Sequence, residues 1–60
     1  MLIIILITST GFLDQYETYD IGEYTSHVEL FVNTGWKRRE VIRTDMGTIS
    51  ILYKHSIKDN

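Results

Sequence analysis

Six large aliphatic residues in succession, Leu2-Ile3-Ile4-Ile5-Leu6-Ile7, constrain the fold more than any other feature of the sequence. Four of them are isoleucine, whose branched Cβ restricts χ1 and suits a pleated strand better than a helix. The run is far too short to cross a bilayer as a helix, which takes about 20 apolar residues. Side chains of a strand alternate between faces, so this strand is apolar on both. Leu2, Ile4 and Leu6 lie on one side, Ile3, Ile5 and Ile7 on the other. Both faces of the sheet therefore need a cover at this strand. A chain this small buries only about 60% of its unfolded surface and has room for one core. Its own helix or second layer can cover one face. The other cover is expected from a second copy of the chain or from a different partner. A homodimer is predicted, with Leu2, Ile3, Ile4 and Ile5 at its interface. The competing reading is a secretory signal peptide, but no Lys or Arg precedes the run and only Thr8, Ser9, Thr10 and Gly11 hint at a cleavage site.

With 60 residues the chain is expected to form one domain, residues 1–60, near the lower size limit for independent folding. It contains no cysteine and no proline. Disulfides and thiolate metal sites are excluded, and the composition fits a reducing compartment, with the cytoplasm as the expected location. No membrane span and no cofactor are implied. The net charge is −2, but it is unevenly distributed. Before Trp36 there are five acids (Asp14, Glu17, Asp20, Glu23, Glu29) and no Lys or Arg; from Trp36 onward there are six bases against three acids (Glu40, Asp45, Asp59). Such a split marks either two differently charged surfaces or strands that pair across the sign change.

Along the chain, Thr8-Ser9-Thr10-Gly11 is a polar exit from the first strand, with residues suited to capping a helix. Phe12, Leu13, Tyr16 and Tyr19 then recur at spacings of three and four, which predicts a short helix from Phe12 to about Ile21; the strand reading of the same stretch alternates poorly. Tyr24 to Val32 does alternate, Val28, Leu30 and Val32 against His27, Glu29 and Phe31, and reads as a strand. Asn33-Thr34-Gly35 is expected to turn it into a strand from Trp36 to Thr44, setting Glu29 opposite Arg39. Thr44-Asp45-Met46-Gly47 is a second tight turn, and Thr48 to Ile57 the last strand. The fold class expected is α+β, nearly all-β: a small antiparallel sheet of about four strands, with one short helix or loop after the first.

Two side-chain groups carry possible function. Asp14, Tyr16, Glu17, Tyr19 and Asp20 form an acidic and aromatic stretch, a composition that suits contact with a basic surface of another protein. Trp36, Lys37 and Arg38 extend this expected contact set. Lys37, Arg39, Arg43 and Lys54 with Phe31 form a basic set that suits phosphates and a stacked base, although net acidity argues against a nucleic-acid binder. Signals for catalysis or metal are weak. His27 and His55 fall on different expected strands, no Gly-rich phosphate loop or cysteine nucleophile occurs, and His27 with Glu29 makes at most two metal ligands.

No motif carries a family resemblance. Small size and a start at Met1 are similar in character to the small stand-alone proteins with which bacteriophages inhibit host enzymes or defence systems. The function expected is a non-enzymatic interaction module, a homodimer that inhibits or modulates another, host protein. The alternatives are a small nucleic-acid-binding regulator and a structural protein that assembles through Leu2 to Ile7.

Overall fold

The computed structural model describes residues 1–55; Ser56 and Ile57, the end of the expected last strand, lie outside that range. Five elements follow in order: β1 (Leu2–Thr8), β2 (Gly11–Thr18), α1 (Ile21–Asn33), β3 (Lys37–Thr44) and β4 (Gly47–Lys54). The strands form one sheet in the order β2-β1-β4-β3. Two antiparallel hairpins, β1 with β2 and β3 with β4, are joined at the centre by a parallel pairing of β1 with β4. The fold is a mostly-β α+β fold of four strands and one helix. In detail it departs from an antiparallel meander, because the central pair is parallel and the helix follows the second strand. The chain segment from β2 through α1 to β3 supplies the crossover that a parallel pair needs.

The parallel pairing puts the two most apolar strands side by side in the middle. Ile3, Ile5 and Ile7 stand opposite Ile49, Ile51 and Tyr53, while Leu6 stands opposite Leu52. The more polar strands β2 and β3 take the edges, where one side of the backbone meets water. Both hairpins close with the same chemistry. In Thr8-Ser9-Thr10-Gly11 and Thr44-Asp45-Met46-Gly47 the threonine hydroxyl accepts from the N–H two residues on, Thr10 at 3.2 Å and Met46 at 3.1 Å. Each hydroxyl also donates to the glycine carbonyl, at 3.3 and 3.1 Å. Gly11 and Gly47 have φ of 121° and 144°, a region that only glycine enters without strain. The first of these segments is thus a hairpin turn and caps no helix.

This turn corrects the reading of Phe12 to Ile21, most of which is the edge strand β2. The Tyr24 to Val32 stretch, expected as a strand, lies within α1. Asp20 is its N-cap and accepts from Gly22 N at 2.8 Å and Glu23 N at 3.4 Å, which satisfies two of the four donors a helix start leaves open. At the other end, Gly35 N donates to Val32 O at 3.2 Å and Trp36 N to Phe31 O at 3.0 Å. With Gly35 at a φ of 105° this is a Schellman cap. Its customary apolar contact is present, the Phe31 and Trp36 rings meeting edge to face at 6.2 Å. Asn33-Thr34-Gly35 therefore ends a helix where a hairpin was expected. Glu29, on α1, has no cross-strand position opposite Arg39.

α1 lies on one face of the sheet. Ile4 and Leu6 of β1, Leu52 of β4, Val28 of α1 and Trp36 form the buried core, with Tyr24 and Phe31 packed against it. The helical stripe that reaches the sheet is therefore Tyr24, Val28 and Phe31, at spacings of four and three. One polar spot interrupts the apolar face: Ser50 on β4, only 3% exposed, is hydrogen-bonded to the Tyr24 hydroxyl. A serine fits there because the helix brings it a partner.

The start of β1 is seated on the β3–β4 turn. The Met1 ammonium donates to Met46 O at 2.8 Å and Thr48 N to Met1 O at 3.0 Å, and a Cβ on Gly47 would overlap the Met1 carbonyl. At Gly11 a Cβ would meet nothing within 4 Å. Gly11→Ala should cost about 1–3 kcal/mol, from backbone strain alone. Gly47→Ala should cost clearly more. Equal losses in urea unfolding would show that Met1 is not seated on the turn.

Candidate functional site

Three exposed surfaces could carry function, and none is an enclosed cavity. The first is the sheet face away from α1. Strand alternation places Ile3, Ile5 and Ile7 of β1 and Ile49, Ile51 and Tyr53 of β4 on it, and these are half-buried only by their neighbours in the sheet. The pairings add Ile42 opposite Ile49 and Phe12 opposite Ile7, at 37% and 66% exposure. Among the described residues nothing covers this face. The expected interface set divides accordingly. Ile3 and Ile5 are on the open face, whereas Ile4, 1% exposed, is core beneath the helix, and Leu2 shares its side of the strand. Ile7, Ile49 and Ile51 also belong to the patch; they come together only through the parallel β1–β4 pairing, which the expected antiparallel meander lacks.

β1 is also an interior strand, hydrogen-bonded to β2 on one side and β4 on the other. It has no free edge, so assembly by edge pairing of Leu2 to Ile7 is excluded by geometry. The free edges belong to β2 and β3.

The second surface is the β2 edge with the turn that follows it. Asp14, Tyr16 and Glu17 lie on β2, and Tyr19, 85% exposed, lies between β2 and α1. Alternation splits the strand: Tyr16 opposite Ile4 leans toward the helix, its ring 6.0 Å from His27 and 5.6 Å from Phe31. Glu17 opposite Ile3 is on the open-face side. Phe12, Leu13 and Ile21 add exposed apolar area along the same edge. Asp20 carries a structural duty as the helix cap, so its carboxylate is already engaged.

The third surface gathers where β3 begins. Lys37, Arg38 and Arg39 line an open depression of about 530 Å³ together with Thr8, Ser9 and Tyr53. A bulge between Arg38 and Glu40 leaves Arg39 as the unpaired extra residue, and its guanidinium lies 5.4 Å from the Tyr53 ring centre, within cation–π range. The expected basic set is broken up by the fold. Phe31 is on α1, turned into the core contacts with Tyr16 and Trp36, and has no face free to stack a base. Lys54 is on the helix side, 5.9 Å from the Trp36 ring centre and donating to Thr34 O at 3.2 Å. Arg43 lies at the far end of β3, six positions and roughly 20 Å of strand from Lys37. Trp36, at 6% exposure, is a core anchor and leaves the expected contact set; Lys37 and Arg38 are exposed.

The charge split now has a spatial form. β2 carries acids and no bases, β3 carries Lys37, Arg38, Arg39 and Arg43 against Glu40, and the two strands occupy opposite edges. They do not pair across the sign change. Among the described residues no group of three His, Cys, Asp or Glu could hold a metal, and no described helix is long and apolar enough to cross a membrane.

The roles of two neighbouring acids can be told apart by stability. Asp20→Ala should cost about 1 kcal/mol through loss of the cap, while Asp14→Ala on the exposed edge should stay within about 0.5 kcal/mol of the parent. Equal urea midpoints for the two variants would remove the cap assignment. Comparison with protein-family models, with curated proteins and with solved structures finds no match to this chain.

Proposed function

We propose that this chain is a non-enzymatic interaction module that works as a homodimer and modulates, most directly by inhibiting, another protein. The observation that carries the reading is the uncovered apolar face of Ile3, Ile5, Ile7, Ile49 and Ile51, with Ile42 and Phe12 at its margins. A contiguous exposed apolar patch on a small domain marks an interaction site. Four strands at about 4.8 Å and seven residues at about 3.3 Å give a face of roughly 19 by 23 Å, about 440 Å² on each copy, the footprint of a weak or transient interface.

A second copy is the occupant proposed, because it brings an apolar face of matching size and composition. Two sheets packed face to face around a twofold axis parallel to their strands lay each β1 over the other copy's β4. The same axis lays the β2 edge of each copy over the β3 edge of the other, with Glu17, Lys37 and Glu40 on the packed side and Asp14, Arg38 and Arg43 on the helix side. A polar rim then surrounds an apolar centre, the usual anatomy of a specific interface. In this arrangement the outward side of the β2 edge, with Asp14, Tyr16 and Tyr19, stays available to a protein with a basic surface. A nucleic-acid role has less support, since the fold disperses the basic set that it relied on.

Ile5→Lys combined with Ile51→Lys tests the dimer. Both positions can keep a lysine stem packed on the sheet with its ammonium in water, so a monomer should still fold. Light scattering across a concentration series should show the parent at twice the chain mass and the variant at the chain mass. A parent that stays monomeric, or a variant that stays dimeric, would refute this use of the face. For the outer contact, Asp14→Lys with Tyr19→Ala should abolish capture of a protein retained by the parent chain, with Asp20 left intact to keep the helix capped. Undiminished capture would move the contact off the β2 edge.

A further inference from the structure

We infer that the depression at the start of β3 is a binding site for the phosphate group of a small phosphorylated molecule. It shares Tyr53 with the open face but goes beyond the dimer reading, because it concerns a small ligand and is scored on other signals.

Three consecutive cations, Lys37, Arg38 and Arg39, line the depression. In a regular strand successive side chains leave on opposite faces, so three in a row would not be gathered. Here the ladder is irregular. Lys37 stands opposite Tyr53, Arg38 opposite Leu52, and the next paired residue is Glu40 opposite Ile51. Arg39 is therefore outside the ladder, and bulges of this kind re-aim a side chain, often beside a binding site. The Tyr53 ring, also in the lining, holds the Arg39 guanidinium at 5.4 Å, which reduces the rotamer freedom that binding would otherwise have to remove. Thr8 and Ser9 complete the lining from the end of β1. The Thr8 hydroxyl is committed within its own turn, so Ser9, which is exposed, and the Tyr53 hydroxyl are the neutral side-chain donors in the lining.

Charge and shape together select the ligand. Guanidinium groups match phosphate oxygens in pairs, and an ammonium beside them adds a compact point charge. A volume of about 530 Å³ falls in the range of small-molecule sites. A nucleic-acid strand would need a basic track, and along β3 the acid Glu40 and the roughly 20 Å between Lys37 and Arg43 interrupt one.

The test is a titration of the uniformly ¹⁵N-labelled full chain with inorganic phosphate, and separately with adenosine monophosphate, each at matched ionic strength in sodium chloride. Saturable amide shifts are expected at Ser9, Lys37, Arg38, Arg39 and Tyr53. Tighter binding of the nucleotide would identify the carrier as aromatic, and equal binding would assign recognition to the phosphate alone; both support the site. Arg39→Ala should weaken binding at least about tenfold, the usual effect of losing a charge-assisted hydrogen bond. Arg43→Ala removes the same charge from the far end of the strand and should change affinity less than about twofold. Should Arg39→Ala disturb the bulge, Lys37→Ala at a regular ladder position gives the same reading. Absence of saturable shifts would overturn the proposal, as would an Arg43→Ala loss equal to that of Arg39→Ala. So would preferred binding of a single-stranded oligonucleotide, with shifts running along β3 to Arg43.

Discussion

One helix can cover only one face of a sheet, and in this chain the central strands are apolar on both. A 13-residue helix is about 20 Å long, close to the length of a seven-residue strand at about 3.3 Å per residue, and it runs from the Leu2 end of the sheet to the Ile7 end. α1 is therefore large enough to close the Ile4, Leu6 and Leu52 side and has nothing left for the other. The caps fix where that closure begins and ends. Asp20 starts the helix, and the Schellman cap at Gly35 turns the chain so that Trp36 folds back beside Phe31. Each cap thus joins a local hydrogen-bond requirement to the tertiary core. The parallel β1–β4 pair then sets the isoleucines of both strands in register on the uncovered side.

The edges of the sheet are handled differently from its faces. β2 and β3 each contain an irregularity, between the partners of Leu6 and Ile7 on one side and between Arg38 and Glu40 on the other. Since Leu6 stands opposite Leu52 and Ile7 opposite Tyr53, both irregularities fall at about the same level of the sheet. Bulges and same-sign charges on an edge discourage strand addition. Like edges therefore repel in this molecule, β2 from β2 and β3 from β3. That leaves the open face, and not an edge, as the surface for the proposed association.

Much of this was legible in the sequence, and what was not has a local cause. The two-sided apolarity of Leu2 to Ile7 required a cover on each face whatever the topology, and Ile49, Ile51 and Tyr53 alternated as they do in β4. The helix was misplaced because Val28, Leu30 and Val32 satisfy a strand period while Tyr24, Val28 and Phe31 satisfy a helical one. Val28 serves both, and β-branched residues tipped the reading toward strand. The deciding information was at the ends: Asp20 with Glu23 three residues on is a helix-start pattern. Gly35, after a helical stripe, is a helix stop. The Thr-x-x-Gly segment at residues 8–11 repeats the recognised turn at 44–47, a signal that the helix-capping reading of residues 8–11 passed over. β2 resisted because an edge strand has little to bury, and periodicity is a record of burial. The basic depression was not legible at all, since it depends on a bulge that strand alternation cannot foresee.

Size gives the uncovered face its consequence. A domain of this length sits near the limit at which one core outweighs the entropy of ordering the chain, and its core here is five buried hydrophobic residues with two more packed against them. The isoleucines of the open face are apolar area that the fold has already ordered. Covering them adds hydrophobic stabilisation with little further loss of backbone entropy. Association and folding would then be linked, so that stability rises with protomer concentration by mass action. A substitution on the open face would act on stability through the dimer, and one beneath α1 directly. The same strand, β1, takes part in both, with Ile4 and Leu6 serving the fold and Ile3, Ile5 and Ile7 serving the proposed assembly.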